Sequence, residues 1–259
     1  MIKLICDFGG ISFMIEKYGI NSLALHIVAM IFMFIDHAWA TVISGNMWMN
    51  FVGRLAFPIF AFMTAEGFFH THNFKKYLKR LFILAILSEI PFNLMMNGSI
   101  TDVFHQNVIW TFIISLLCLK WLDSVRNKDQ NNALKVLKYI GISFLGFLIG
   151  TITMVDYSGT GVLTVILFYF FHGRGWKNKL GQLFGMYIIN FILIQNMDLP
   201  LQILGHEFFF PTQGFAIFSL IFIWLYNGKQ GPHNKYIQYF CYAFYPLHIL
   251  ILSLIAILS

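Results

Sequence analysis

Residues 22–54 read SLALHIVAMIFMFIDHAWATVISGNMWMNFVGR, and this stretch decides the fold. Ser22–Ile43 is apolar for long enough to cross a bilayer, which takes about 20 residues in a helix. Ser44-Gly45-Asn46 then marks a turn, and a second apolar run begins at Asn50. A hairpin of two membrane helices follows, with Asp36, His37 and Arg54 placed inside it. Ala38-Trp39-Ala40 has the look of a signal-peptidase site. A signal peptide would be uncharged where Asp36 and His37 stand, so the run is expected to be retained as a first helix.

The same pattern repeats along the chain. Of its 259 residues 58% are hydrophobic and only 11% charged, against about 25% charged in a soluble domain. Mean hydropathy is +0.72, and thirty Phe and twelve Met exceed what a water-facing domain hides. The expected fold class is all-α: a polytopic transmembrane helix bundle of about nine spans. The spans are Ser22–Ile43, Asn50–Phe69, Tyr77–Leu94, Val108–Leu122, Leu137–Val155, Gly161–Phe171, Leu180–Ile194, Gly214–Tyr226 and Tyr236–Leu258. The sixth and eighth are short, and Pro200–Thr212 is available to extend the latter. The expected organisation is a cytoplasmic N-terminal segment, 1–21, and a single membrane domain, 22–258.

Basic residues orient the map, because Lys and Arg concentrate in cytoplasmic loops. With the N-terminus inside and the C-terminus outside, every one of the seventeen Lys and Arg residues except Arg54 falls on the cytoplasmic side. Asp102, Asp156, Asp198 and Glu207 fall on the outer side. The net charge of +6 is thereby a topology signal that needs no nucleic acid, and anionic lipid adds to the attraction. The expected location is the cell membrane, with the lipid bilayer as a partner. Cys6, Cys118 and Cys241 are odd in number and lack metal spacing, so neither a disulfide framework nor a structural metal is expected. Gly146 and Gly150 form a small-xxx-small pair that predicts a close helix contact.

Ionisable residues inside spans are costly and point to function. Asp36 and Arg54 lie equally far from the turn at Gly45, at similar depth and within reach of an ion pair. His37 points roughly 100° from Asp36 around the helix, so it needs another partner; it is able to exchange a proton near neutral pH. Glu66 and His70 are spaced i, i+4, as are Glu89 and Asn93 around the helix-bending Pro91. Tyr245 and His248 are spaced i, i+3 beside Pro246, where they line a cavity or satisfy each other. The run from His70 through His72, Lys75 and Lys76 to Arg80 is basic and attracts phosphates of a cytosolic cofactor; positive-inside bias produces the same run.

Five stretches together resemble the TraX family. They are MIFMFIDH ending at His37, GRLAFPIFAFMTAEGF at Gly53–Phe68, HTHNFKKYLKRL at His70–Leu81, SEIPFN at Ser88–Asn93 and FYPLHILIL at Phe244–Leu252. TraX-like proteins are known for N-acetylating conjugative pilin and look related to a wider group of membrane acyltransferases that use acetyl-CoA. The resemblance implies an acetyltransferase with acetyl-CoA as co-substrate and a protein N-terminus or an envelope glycan as acceptor. It implies His37 as the catalytic histidine, with Asp36 and Arg54 in the hairpin that shapes the site. The basic run His70, His72, Lys75, Lys76 and Arg80 is then the expected cofactor-binding region, and Glu66, Glu89, Asn93, Tyr245 and His248 are expected to meet substrate. The competing expectation is a proton-coupled or small-molecule transporter that uses the same buried cluster.

Overall fold

The computed structural model describes residues 19–129, 131–194, 198–203, 206–232 and 234–258. Most of the expected segment 1–21, with Lys3, Cys6 and Lys17, lies outside the described residues. Helix α1 spans Ser22–Thr41, capped by Asn21, whose side chain accepts from the Ala24 N–H at 2.9 Å. Its start is tied to the far end of the chain: the Ser22 N–H donates to the Lys229 carbonyl at 2.8 Å, and the Asn227 N–H to that of Ile20 at 2.9 Å.

The second expected span is two helices, α2 (Met47–Gly53) and α3 (Ala56–His70), broken at Arg54 and Leu55. Pro58 supplies the reason. It has no N–H to donate to the carbonyl four residues back, that of Arg54, and its ring crowds that carbonyl. Arg54 and Leu55 keep right-handed helical backbone angles across the break, and the Arg54 N–H still donates to the Asn50 carbonyl at 3.1 Å. Six further helices follow: α4 (Phe74–Asn97), α5 (Val108–Arg126), α6 (Asn132–Ile152), α7 (Ser158–Phe170), α8 (Trp176–Tyr187), which runs on as a π-helical turn over Ile188–Leu193, and α9 (Ser219–Leu225), preceded by a 3-10 turn over Thr212–Phe218. The last, α10, spans Lys235–Leu258. Each of the nine expected spans is helical over most of its length.

Among the described residues, five helices are long and apolar enough to cross a membrane: Ser22–Thr41, Met47–His70 counted through its break, Val108–Arg126, Asn132–Ile152 and Lys235–Leu258. The distribution of polarity agrees. Leu137, Ile140 and Phe184 stand more than half exposed, while Asn50, Ser115, Asn190 and Gln213 are buried. That arrangement suits a lipid solvent, in which polar groups must find partners inside the bundle.

One element departs from the all-α expectation. Strands β1 (Asp198–Ile203) and β2 (His206–Pro211) pair antiparallel, with Asp198 opposite Pro211 and Ile203 opposite His206. Pro200 and Pro211 disfavour a helix here, and the run Phe208-Phe209-Phe210 has high strand propensity. The small-residue contact is present. A Cβ at Gly150 would lie 3.0 Å from the Gly159 Cα, and one at Gly159 would overlap the Phe147 carbonyl oxygen, so α6 and α7 touch backbone to backbone.

The α6–α7 connection is unusually constrained. Met154, Tyr157 and Ser158 all take positive φ, 52°, 59° and 50°, conformations that non-glycine residues hold only when their surroundings impose them. The surroundings here are hydrogen bonds. The Asp156 N–H donates to the Gln106 carbonyl at 2.8 Å, and the Gln106 N–H donates to that of Met154 at 3.0 Å. His105 Nε2 lies 3.7 Å from Asp156 Oδ1, and this facing carboxylate raises the His105 pKa against the opposing effect of burial; the charges of Asp102 and Glu89 add to the rise. A raised imidazole pKa stabilises the fold fully below its ordinary value of 6.5, and the contribution fades as pH rises through the folded value. The thermal stability of the wild type relative to His105→Gln is expected to shrink from acidic to alkaline buffer; a difference independent of pH would contradict the pairing.

Candidate functional site

Two cavities follow one another along the bundle. One face of α1 lines both: Ser22, His26, Met30 and Met33 face the first, and Met33, Asp36, His37 and Ala40 the second. With Leu23 and Trp39 beside them, these positions form one broad strip along the helix, Met33 being shared by both cavities. At 1.5 Å per residue it extends roughly 27 Å from Ser22 to Ala40.

The first cavity, about 500 Å³, is walled by α1, α3, α4, α10 and the start of α5 and takes His70, His72, Tyr77 and Arg80 into its lining. Arg80 Nε is buried without a hydrogen-bond partner, and the guanidinium carbon stands 5.9 Å from the Tyr242 ring centre. Of the five residues expected to meet a cofactor, His70, His72 and Arg80 border this space. Lys75 and Lys76 are instead exposed on the first turn of α4 and are not part of the lining.

The second cavity, about 360 Å³, gathers Asp36, His37, Trp39, Asn50, Arg54, Asp156, Tyr157 and Gln213. Asp36 and Arg54 share it, as their spacing predicts, but they are not within ion-pair distance among the described residues. Asp36 Oδ1 instead accepts from Asn50 Nδ2 at 3.4 Å. Trp39 Nε1, Asn50 Oδ1, Arg54 Nε and Gln213 Oε1 are all buried without a hydrogen-bond partner among the described residues. Such atoms cost about 1–3 kcal/mol each when unpaired, and these four belong to residues that line one space.

His37 finds its partner on α10. His37 Nδ1 lies 2.8 Å from His248 Nε2, and His248 Nδ1 lies 2.6 Å from the Phe244 carbonyl oxygen. Tyr245 and His248 therefore do not satisfy each other: His248 is bonded to His37, and Tyr245 borders both cavities.

The other expected substrate residues are dispersed. Glu66 pairs with His70 at 3.3 Å, as its spacing predicts, and also with His172 at 2.6 Å, bracing α3 to the turn after α7. Glu89 bonds the Asn107 side chain and accepts from Trp110 Nε1 at 3.1 Å, while Asn93 Nδ2 donates to the Ile100 carbonyl at 3.3 Å. Glu89 and Asn93 thus pack the α4–α5 region separately and do not pair across Pro91. Asn50, Asp156, Tyr157 and Gln213 were not among the expected site residues. Asn50 lies in the same hairpin as Asp36, whereas the positive-φ loop carrying Asp156 and Tyr157 has no sequence signature.

Close packing holds the hairpin in place. A Cβ at Gly53 would overlap the Asp36 Cβ and carboxylate, so only glycine lets α2 approach α1 there. Gly53→Ala is expected to cost about 1–3 kcal/mol, the usual penalty for overpacking, and to displace Asp36. Thermal unfolding in detergent reads the loss; an unchanged midpoint would contradict the contact.

The two cavities meet at five side chains that border both: Met33, Phe60, Val108, Phe112 and Tyr245. Apart from the Tyr245 hydroxyl, this partition is apolar.

Sequence comparison with known proteins covers nearly the whole chain. The family model described as TraX protein matches residues 22–256. A probable fimbrial assembly protein FimC, serogroup H1, of Dichelobacter nodosus is 26% identical over 258 residues, covering 92% of this chain and 97% of that protein. No solved structure matches. The chain belongs to the TraX family.

Proposed function

We propose that this protein is a membrane acetyltransferase that moves the acetyl group of cytosolic acetyl-CoA to a primary amine at the outer face, the N-terminus of a pilin-like protein. The observation that carries this reading is the adjacency of two unlike cavities. One is bordered by Arg80, His70 and His72, the other by His37, Asp36 and Arg54, and five side chains separate them. On this reading residues 22–258 form one membrane domain crossing nine times, N-terminus inside and C-terminus outside, and the Arg80 cavity opens to the cytoplasm.

Arg80, His70 and His72 suit the phosphates of coenzyme A, and the unpartnered Arg80 Nε suits a donor-seeking oxygen. When bound, the co-substrate supplies a thioester, an acyl group at an electrophilic carbonyl carbon. In the second cavity the free oxygens of Asn50 and Gln213, with the carboxylates of Asp36 and Asp156, suit an N–H-bearing acceptor. The name of the fimbrial relative supports a pilin-like one.

His37 takes a proton from the amine as the new C–N bond forms and the C–S bond breaks, and returns it to the departing sulfur. The products are an amide and a thiol. Arg54 donates to the carbonyl oxygen as negative charge gathers there.

Purified protein is expected to transfer label from acetyl-CoA to a peptide with a free N-terminal amine, and not to the same peptide with that amine blocked. Neither binding nor transfer would contradict the assignment. The apolar partition also suits a closed transport gate; acceptor flux through vesicles without acetylation would favour transport.

A further inference from the structure

We propose that His248 is a positioning residue, which holds His37 in the tautomer whose Nε2 is free to act as the base. The inference rests on the acyltransferase reading for its catalytic consequence, and on hydrogen-bond geometry alone for the tautomer.

The chain of bonds has one direction. The Phe244 carbonyl oxygen can only accept, so His248 Nδ1, 2.6 Å away, carries a hydrogen. A neutral imidazole has one N–H, and His248 Nε2 is then an acceptor. His37 Nδ1 lies 2.8 Å from it and must be the donor. The lone pair of neutral His37 is left on Nε2.

Ring geometry supports an in-plane bond. The two imidazoles are parallel within 3°, with centres 5.0 Å apart. Their facing nitrogens approach more closely than the roughly 3.5 Å separating stacked atoms, so the rings meet edge to edge. His248 is itself held still. It is 5% exposed, with the Phe244 ring 4.6 Å away at 19° and the Phe34 ring 6.3 Å away. An acceptor that fixes the catalytic imidazole from behind is the role a carboxylate plays in many hydrolases. Here a second histidine, anchored to a backbone carbonyl, fills it without adding negative charge inside the membrane.

The test joins a spectrum to an assay. In protein labelled with 15N at histidine, at about pH 8, where ordinary imidazoles are neutral, His37 is expected to show a protonated Nδ1 and a pyridine-type Nε2. His248→Leu removes the acceptor, and His37 is expected to lose that preference while transfer falls by at least about 10–100-fold, the cost of losing the partner that orients a metal-bound histidine. His248→Gln restores an oxygen near the position of Nε2 and is expected to recover both. A wild-type His37 protonated on Nε2, or Leu and Gln variants alike in spectrum and rate, would overturn the proposal. Absence of transfer in the wild type would count against the acetyltransferase reading and against the catalytic role given to His248, while the wild-type spectrum would still decide the tautomer.

Discussion

His37→Ala is expected to lower acetyl transfer by about 10²–10⁴-fold, the contribution typical of a positioned general base. Among the described residues the His37 imidazole is the only one lining the second cavity, so no other histidine described there is placed to substitute for it. The fold is expected to survive. His37 is half-buried beside open space, and the His248 Nε2 that loses its partner can be met by water in a polar cavity of that size. Binding of the donor is expected to be unchanged, because Arg80, His70 and His72 lie on the far side of the partition. The measurement is kcat for transfer alongside the Kd of acetyl-CoA. Loss of kcat at constant Kd is the expected result, and equal kcat in both proteins would remove His37 from the chemistry.

Arg54→Met is expected to cost about 10²–10³-fold in kcat, the range seen when a donor to a developing oxyanion is removed. The geometry behind this is specific. Pro58 breaks the α2–α3 helix at Arg54, the guanidinium borders the cavity that holds His37, and its Nε has no hydrogen-bond partner among the described residues. Asp36 keeps its bond to Asn50, so loss of the cation does not strip the carboxylate of its hydrogen bond. Arg54→Lys keeps the charge but not the planar fork of donors, and partial activity between Met and wild type is expected. Wild-type kcat in Arg54→Met would show that the residue serves only packing.

Some of this site could be read in the sequence, because a charge inside an apolar run is conspicuous. Asp36, His37 and Arg54 stood out for that reason, and the structure places all three around one cavity. The break at Arg54 also had its cause in view, in Pro58 four residues on. What spacing could not supply was any relation across the chain. His37 and His248 are 211 positions apart, so no periodicity links them, and His248 looked like a partner for Tyr245. Asn50 and Gln213 are ordinary polar residues until their burial beside the cavity gives their unpaired oxygens meaning. Asp156 and Tyr157 sit in a connection shaped by hydrogen bonds to Gln106, again a contact between distant segments. The hairpin at 198–211 was concealed by its apolar composition, which suits a strand as well as a helix end. The basic run was read as a unit, whereas His70, His72 and Arg80 border the first cavity and Lys75 and Lys76 do not; spacing does not separate them, since Lys76 and Arg80 are i, i+4 on one helix.

The central claim is that acetyl donor and amine acceptor enter from opposite ends and meet at the partition between the two cavities. Sealed proteoliposomes test it most directly, with the protein in one orientation, labelled acetyl-CoA confined to the side of the Arg80 cavity and an impermeant peptide with a free N-terminus confined to the other. The account predicts acetylated peptide on its own side, coenzyme A retained on the donor side, and none of either with His37→Ala. Transfer only when donor and peptide share one side would contradict it.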